Sequence, residues 1–123
     1  MKPITQEWIA KAEGDYKVAN DEWQLPDPVC DAICFHAQQC VEKYLKAWLT
    51  EHDVEFPRTH DLPALAKLCF VTFPELIRFL PDFNFLTSSS VEVRYPGTST
   101  EWADAEECIR IARELRDTLR GNF

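Results

Sequence analysis

A chain of 123 residues with 46% hydrophobic content can bury one core and not two, which predicts a single helical domain over residues 1–123. Its formal net charge of −8 opposes diffuse attraction to a polyanion, so any nucleic-acid or nucleotide site has to be local. Charged residues from Lys2 to Asp15 break any secretory leader, and the longest charge-poor stretch, Cys30 to Val41 interrupted by Asp31, is far short of the roughly 20 apolar residues of a membrane span. The expectation is a cytoplasmic protein with no membrane contact.

The first predicted element has Thr5 as N-cap and places Trp8, Ala12, Tyr16, Ala19 and Trp23 at helical intervals, ending near Gln24 ahead of Pro26 and Pro28. Asp27-Pro28 then reads as an N-cap with proline in the first turn. It opens the longest amphipathic helix, with Val29, Ile33, Ala37, Cys40, Val41, Tyr44, Leu45 and Trp48 on its apolar face, running to about Glu51. Trp48, near its end, is also expected to leave aromatic surface exposed for association.

His52 to His60 holds Pro57 and no stripe, which predicts a loop, with Thr59 or Asp61 capping a third helix through Leu62, Leu65, Ala66 and Cys69. Pro74 opens a shorter helix with Leu76, Ile77, Phe79 and Leu80, ended or kinked by Pro81. Val91 to Tyr95 alternates, yet no second strand-like run exists to pair with it, so it reads as an ordered loop. Ser99 or Thr100 caps a last helix with Trp102, Ala105, Ile109, Ala112, Leu115 and Leu119 on one face, stopped by Gly121. Such stripes bury themselves only against each other, which predicts an all-α fold: an up-and-down antiparallel four-helix bundle with an additional short helix.

Five cysteines cannot all pair, and Cys30, Cys34 and Cys40 near His36 form no CxxC, so reduced, buried thiols are expected and no metal site. Glycine-rich phosphate loops, GxSxG and HExxH are absent, which leaves the common NTPase, hydrolase and zinc-protease readings without support. On the second helix His36, Gln39, Lys43 and Lys46 recur at helical spacing and form a polar ridge. It suits a phosphate or a base edge, while the residue pattern alone favours a solvated flank with Glu42–Lys46 contacts. His60 at a helix start is a proton-exchange candidate or a capping residue. Arg94, with Tyr95 and Pro96 before the last helix, is an anion site or a tie to Asp15 of the first helix.

The run Phe35-His36-Ala37-Gln38-Gln39-Cys40-Val41-Glu42-Lys43-Tyr44-Leu45-Lys46-Ala47, followed by Thr59-His60-Asp61-Leu62 and by Arg94-Tyr95-Pro96, resembles the HEPN family (higher eukaryotes and prokaryotes nucleotide-binding). Trp8 to Ala19 is similar to that family's first helix, so the likeness spans nearly the whole chain. The resemblance implies a homodimer, a minimal nucleotidyltransferase partner in a toxin–antitoxin-like pair, and a nucleotide or RNA site drawing on His36, Gln39, Lys43, His60, Arg94 and Tyr95. Ribonuclease members carry an Arg followed four to six residues later by His; here Arg94 is followed by no histidine, and none occurs after His60. In-line cleavage needs a proton acceptor as well as charge stabilisation, so the expected role is non-catalytic binding, without cofactor. The alternative is a divergent metal-independent endoribonuclease toxin.

Overall fold

The computed structural model describes residues 1–92, 96–97 and 100–123. Among them are five α-helices and no strand: α1 (Pro3–Trp23), α2 (Cys30–Glu51), α3 (Leu62–Cys69), α4 (Leu80–Glu92) and α5 (Trp102–Arg120), with a 3-10 helix over Pro74–Phe79 before α4. α2 is the central rod, packed by α1, α3, α4 and α5. Its buried residues include Ile33, Ala37, Val41, Tyr44, Leu45 and Leu49, a stripe at helical spacing. The four long helices alternate in direction, and short α3 runs alongside α2.

α1 begins two residues before the expected cap. Pro3 occupies the first turn, where its missing N–H costs nothing, and Lys2 stands at the N-cap position. Thr5 lies inside the helix, buried, and its hydroxyl donates to Glu51 Oε1 at 2.9 Å. The Lys2 amide donates to the same oxygen at 3.0 Å, so the start of α1 is clasped to the end of α2.

At the other end of that hairpin Asp27 is not the cap of α2. Val29 holds the N-cap position, and Glu22 Oε2 of α1 accepts from the Val29 amide at 2.9 Å. Val29 is itself exposed, so the apolar face starts at Ile33 and not at Val29. The C-terminus of α2 closes as predicted near Glu51. The amides of Asp53 and Val54 return to the carbonyls of Thr50 and Leu49 at 3.2 and 2.9 Å, and Asp53 takes the left-handed conformation (φ 57°) that such a reversal requires.

α3 matches its predicted span, and Asp61 is its cap, accepting from the Ala64 amide at 3.2 Å. Past it the chain departs in part from expectation. Pro74 opens a short helix as predicted, of 3-10 type and ending at Phe79, but Pro81 then sits in the first turn of an unpredicted one, α4, which reaches Glu92. Phe83, Leu86 and Ser90 form its buried stripe. Ile77, expected on an apolar face, is exposed, whereas Leu76 and Phe79 are buried. Of the predicted loop Val91–Tyr95, residues 91 and 92 are helical and Val93, Arg94 and Tyr95 lie outside the described residues.

Ser99 also lies outside them, and Thr100 does not cap α5: Glu101 precedes the helix without a side-chain cap, while the Thr100 amide donates to Asp31 Oδ1 of α2 at 3.0 Å. Ala105, Ile109, Ala112, Leu115 and Leu119 are buried as predicted, but Trp102 is 55% exposed and rests on Trp23 with ring centroids 4.4 Å apart. Trp48, expected to contribute exposed surface, is buried. Its indole N–H donates to Thr72 Oγ1 at 2.8 Å, and its ring stacks on His52.

A second clasp joins α1, α2 and α5. Glu13 accepts two parallel bonds from Arg116, each 2.7 Å, with a further bond from Arg120 at 3.2 Å and the Tyr44 hydroxyl as another donor. The Arg116 hydrogen bond holds the Glu13 carboxyl below its usual value of 4.5, against the opposing effect of burial. A carboxyl lowered by folding stabilises the protein fully above its unfolded value, and that contribution is lost as pH falls through the folded one. Glu13→Gln is therefore expected to lower the urea midpoint at about pH 6, by an offset from wild type that shrinks progressively as the pH falls below 4.5. An offset that stays constant with pH would contradict this.

Candidate functional site

Four of the predicted site residues, His36, Gln39, Lys43 and His60, fall into two clusters along α2. In the first, Asp15 of α1 stands between His36 and Lys43: its Oδ1 is 2.8 Å from His36 Nδ1, and its Oδ2 accepts from Lys43 Nζ. Residues seven apart on α2 thus meet one carboxylate from α1, which keeps both on the same rim of the rod. The Asp15 side chain is 11% exposed, so this pair is largely taken out of water and does not form a solvated flank.

The second cluster surrounds Glu42. Glu42 is buried and accepts from Lys46 Nζ at 3.0 Å and Gln38 Nε2 at 3.2 Å, and its Oε1 is 2.8 Å from His60 Nδ1. A carboxylate only accepts, so the shared proton sits on His60 Nδ1, leaving Nε2 as the outward lone-pair nitrogen when the ring is neutral. Gln38 also donates to the His60 carbonyl at 3.0 Å, and Gln39 donates to Gln38 Oε1 at 2.8 Å. Gln39 therefore belongs with His60 and not with His36 and Lys43. Arg94 and Tyr95 lie outside the described residues, and Asp15, offered as the tie for Arg94, is engaged by His36 and Lys43.

Sequence reading missed Gln38 and misjudged Glu42, which it took for a surface partner of Lys46. The spacing Gln38, Glu42, Lys46 at successive turns was the available signal. What hid their burial is the loop after α2, which folds back over this flank through His60.

Beside this cluster lies a pocket of about 570 Å³ lined by Trp8, Lys46, Phe56, Arg58, Thr59 and His60. Lys46 Nζ lies 5.6 Å from the centroid of the Trp8 ring, and Trp8 and Phe56 meet edge to face at 6.4 Å. The pocket is therefore lined by two aromatic rings together with the side chains of Lys46, Arg58 and His60.

The cysteines contribute no such chemistry. Cys34, Cys40, Cys69 and Cys108 are buried. A hydrogen bond with Cys108 pushes the Cys34 thiol up, and burial raises Cys40 and moves Cys69 to about 12. Among the described residues no three His, Cys, Asp or Glu side chains converge as a metal site, and no helix is long and apolar enough to cross a membrane.

Removing one member of a buried ion pair leaves the other uncompensated. Glu42→Ala is expected to cost about 3–5 kcal/mol in urea unfolding, whereas Glu42→Leu combined with Lys46→Met should cost much less. Equal losses in the two variants would contradict the burial of the pair.

Comparison with known proteins yields a family model described as HEPN domain, matching residues 5–122. The crystal structure of an archaeal HEPN homologue is similar to this chain with a TM-score of 0.74 and 29% identity, covering 98% of each chain. No curated protein matches.

Proposed function

Because the chain belongs to the HEPN family, we propose that it is a non-catalytic member that forms a homodimer, docks a minimal nucleotidyltransferase in a toxin–antitoxin-like pair and holds a nucleotide. The observation that supports docking is apolar surface at one end of the bundle. Leu25 and Val29, in the α1–α2 connection, are 50% and 57% exposed, and Trp102, also exposed, rests on Trp23 at the end of α1. Large apolar side chains grouped in this way are typical of contact surfaces.

The non-catalytic half rests on the histidines. In-line cleavage needs an acid and a base acting on one phosphodiester, and the sequence after Arg94 lacks the histidine that ribonuclease relatives use. His36 and His60 are held by different carboxylates, Asp15 and Glu42, in separate networks. Their role in this reading is to fix donors at a binding surface.

Co-expression with a minimal nucleotidyltransferase is expected to yield a stable complex, and Trp102→Lys should weaken it at least about tenfold. Structured RNA incubated with the purified protein and a chelator is expected to stay intact. Cleavage that disappears in Arg94→Ala would establish the endoribonuclease alternative instead.

A further inference from the structure

We propose that the pocket between α1, α2 and the 52–60 loop is a mononucleotide site, in which Trp8 and Phe56 take the base, Lys46 and Arg58 take the phosphate, and His60 Nε2 accepts from a sugar hydroxyl. This locates and specifies the nucleotide half of the reading above, and rests on it.

The first ground is charge. The chain carries −8, yet Lys46 and Arg58 line this pocket and no carboxylate among the described residues does. Arg58 is exposed and makes no ion pair among the described residues, so its planar fork is available for two phosphate oxygens. The Lys46 side chain is 10% exposed and its ammonium is shared with Glu42, which fixes its position while leaving two protons to donate elsewhere. His60 is 70% exposed in its side chain and anchored through Nδ1, so Nε2 faces outward as an acceptor for a hydroxyl of the ligand.

The second ground is preorganisation. The loop bearing Phe56, Arg58 and His60 leaves α2 through the closed turn at Asp53 and Val54 and rejoins the body at the Gln38–His60 carbonyl bond and the Asp61 cap. Both ends are held before any ligand arrives, which reduces the ordering cost of binding. The third ground is shape. Aromatic faces beside cations suit a planar base joined to an anion, and a volume of about 570 Å³ suits a single small ligand. A polynucleotide would have to track its remaining phosphates across an acidic surface, which the net charge opposes.

The test is calorimetric titration of the full chain with AMP and UMP, alongside adenosine, inorganic phosphate and a short oligouridylate. The expected result is saturable binding of at least one mononucleotide, with adenosine and phosphate each at least about tenfold weaker, since neither fills both halves of the pocket. Arg58→Ala, a surface change that should leave the unfolding midpoint in place, is expected to weaken mononucleotide binding at least about tenfold, and Trp8→Leu to weaken it similarly. Mononucleotide binding unchanged in both variants would overturn this pocket while leaving nucleotide binding by the protein intact. Absence of binding by both mononucleotides would overturn the site itself, with partner docking judged separately by co-purification of Arg58→Ala with the nucleotidyltransferase. Oligouridylate binding more than tenfold tighter than either mononucleotide would replace the assignment with a single-strand site.

Discussion

Glu42 is a carboxylate with almost no water around it, in the middle of the helix that every other helix touches. Burying that charge is tolerable only because three donors converge on it, the Gln38 amide, the Lys46 ammonium and the His60 imidazole. Two of the three come from the same helix at one turn on either side, and the third comes from the far end of the 52–60 loop. The loop therefore cannot leave this flank of α2 without costing the buried carboxylate one of its three donors. Its position in turn sets where Phe56, Arg58 and His60 face Trp8.

The same logic operates at two other places. Glu51 ties the first turn of α1 to the last of α2, through the Lys2 amide and the Thr5 hydroxyl. Glu13 ties α1 to α2 and α5 through Tyr44 and Arg116, whose guanidinium also lies over the Tyr16 ring, 4.4 Å from its centroid. Glu51 and Glu13 thus fix α1, α2 and α5 relative to one another, and Glu42 fixes the 52–60 loop on α2, each by accepting from surrounding donors. In an acidic chain this uses carboxylates as geometry, and it explains how net charge and a firmly defined pocket coexist.

Much of this was legible in the sequence. The α2 stripe from Ile33 onward and the α5 stripe from Ala105 to Leu119 were read correctly because apolar spacing reports directly on burial. The helix starts were misread at Thr5, Asp27 and Thr100, since a side chain able to cap does so only if tertiary contacts leave it free. Thr5 turned to Glu51, and Glu22 and Asp31 from other helices served the Val29 and Thr100 amides. α4 was missed because Thr87-Ser88-Ser89-Ser90 is a poor helix former in isolation; packing of Phe83 and Leu86 overrides that propensity. Of the proposed site, His36 and Lys43 were placed together and do meet at Asp15, while the pocket beside His60 depended on a loop reversal that no local pattern announces.

In this HEPN fold His36 and His60 are each anchored by a largely buried carboxylate, Asp15 and Glu42, and the recognition role proposed above draws on that anchoring. The dependence of that arrangement on Glu42 is most directly tested by the tautomer of His60 in two-bond 15N–1H correlation spectra at neutral pH. The account predicts a proton on Nδ1 and a bare Nε2, held by the Glu42 carboxylate. A neutral ring protonated on Nε2 would mean that His60 is not seated on Glu42, and would contradict it.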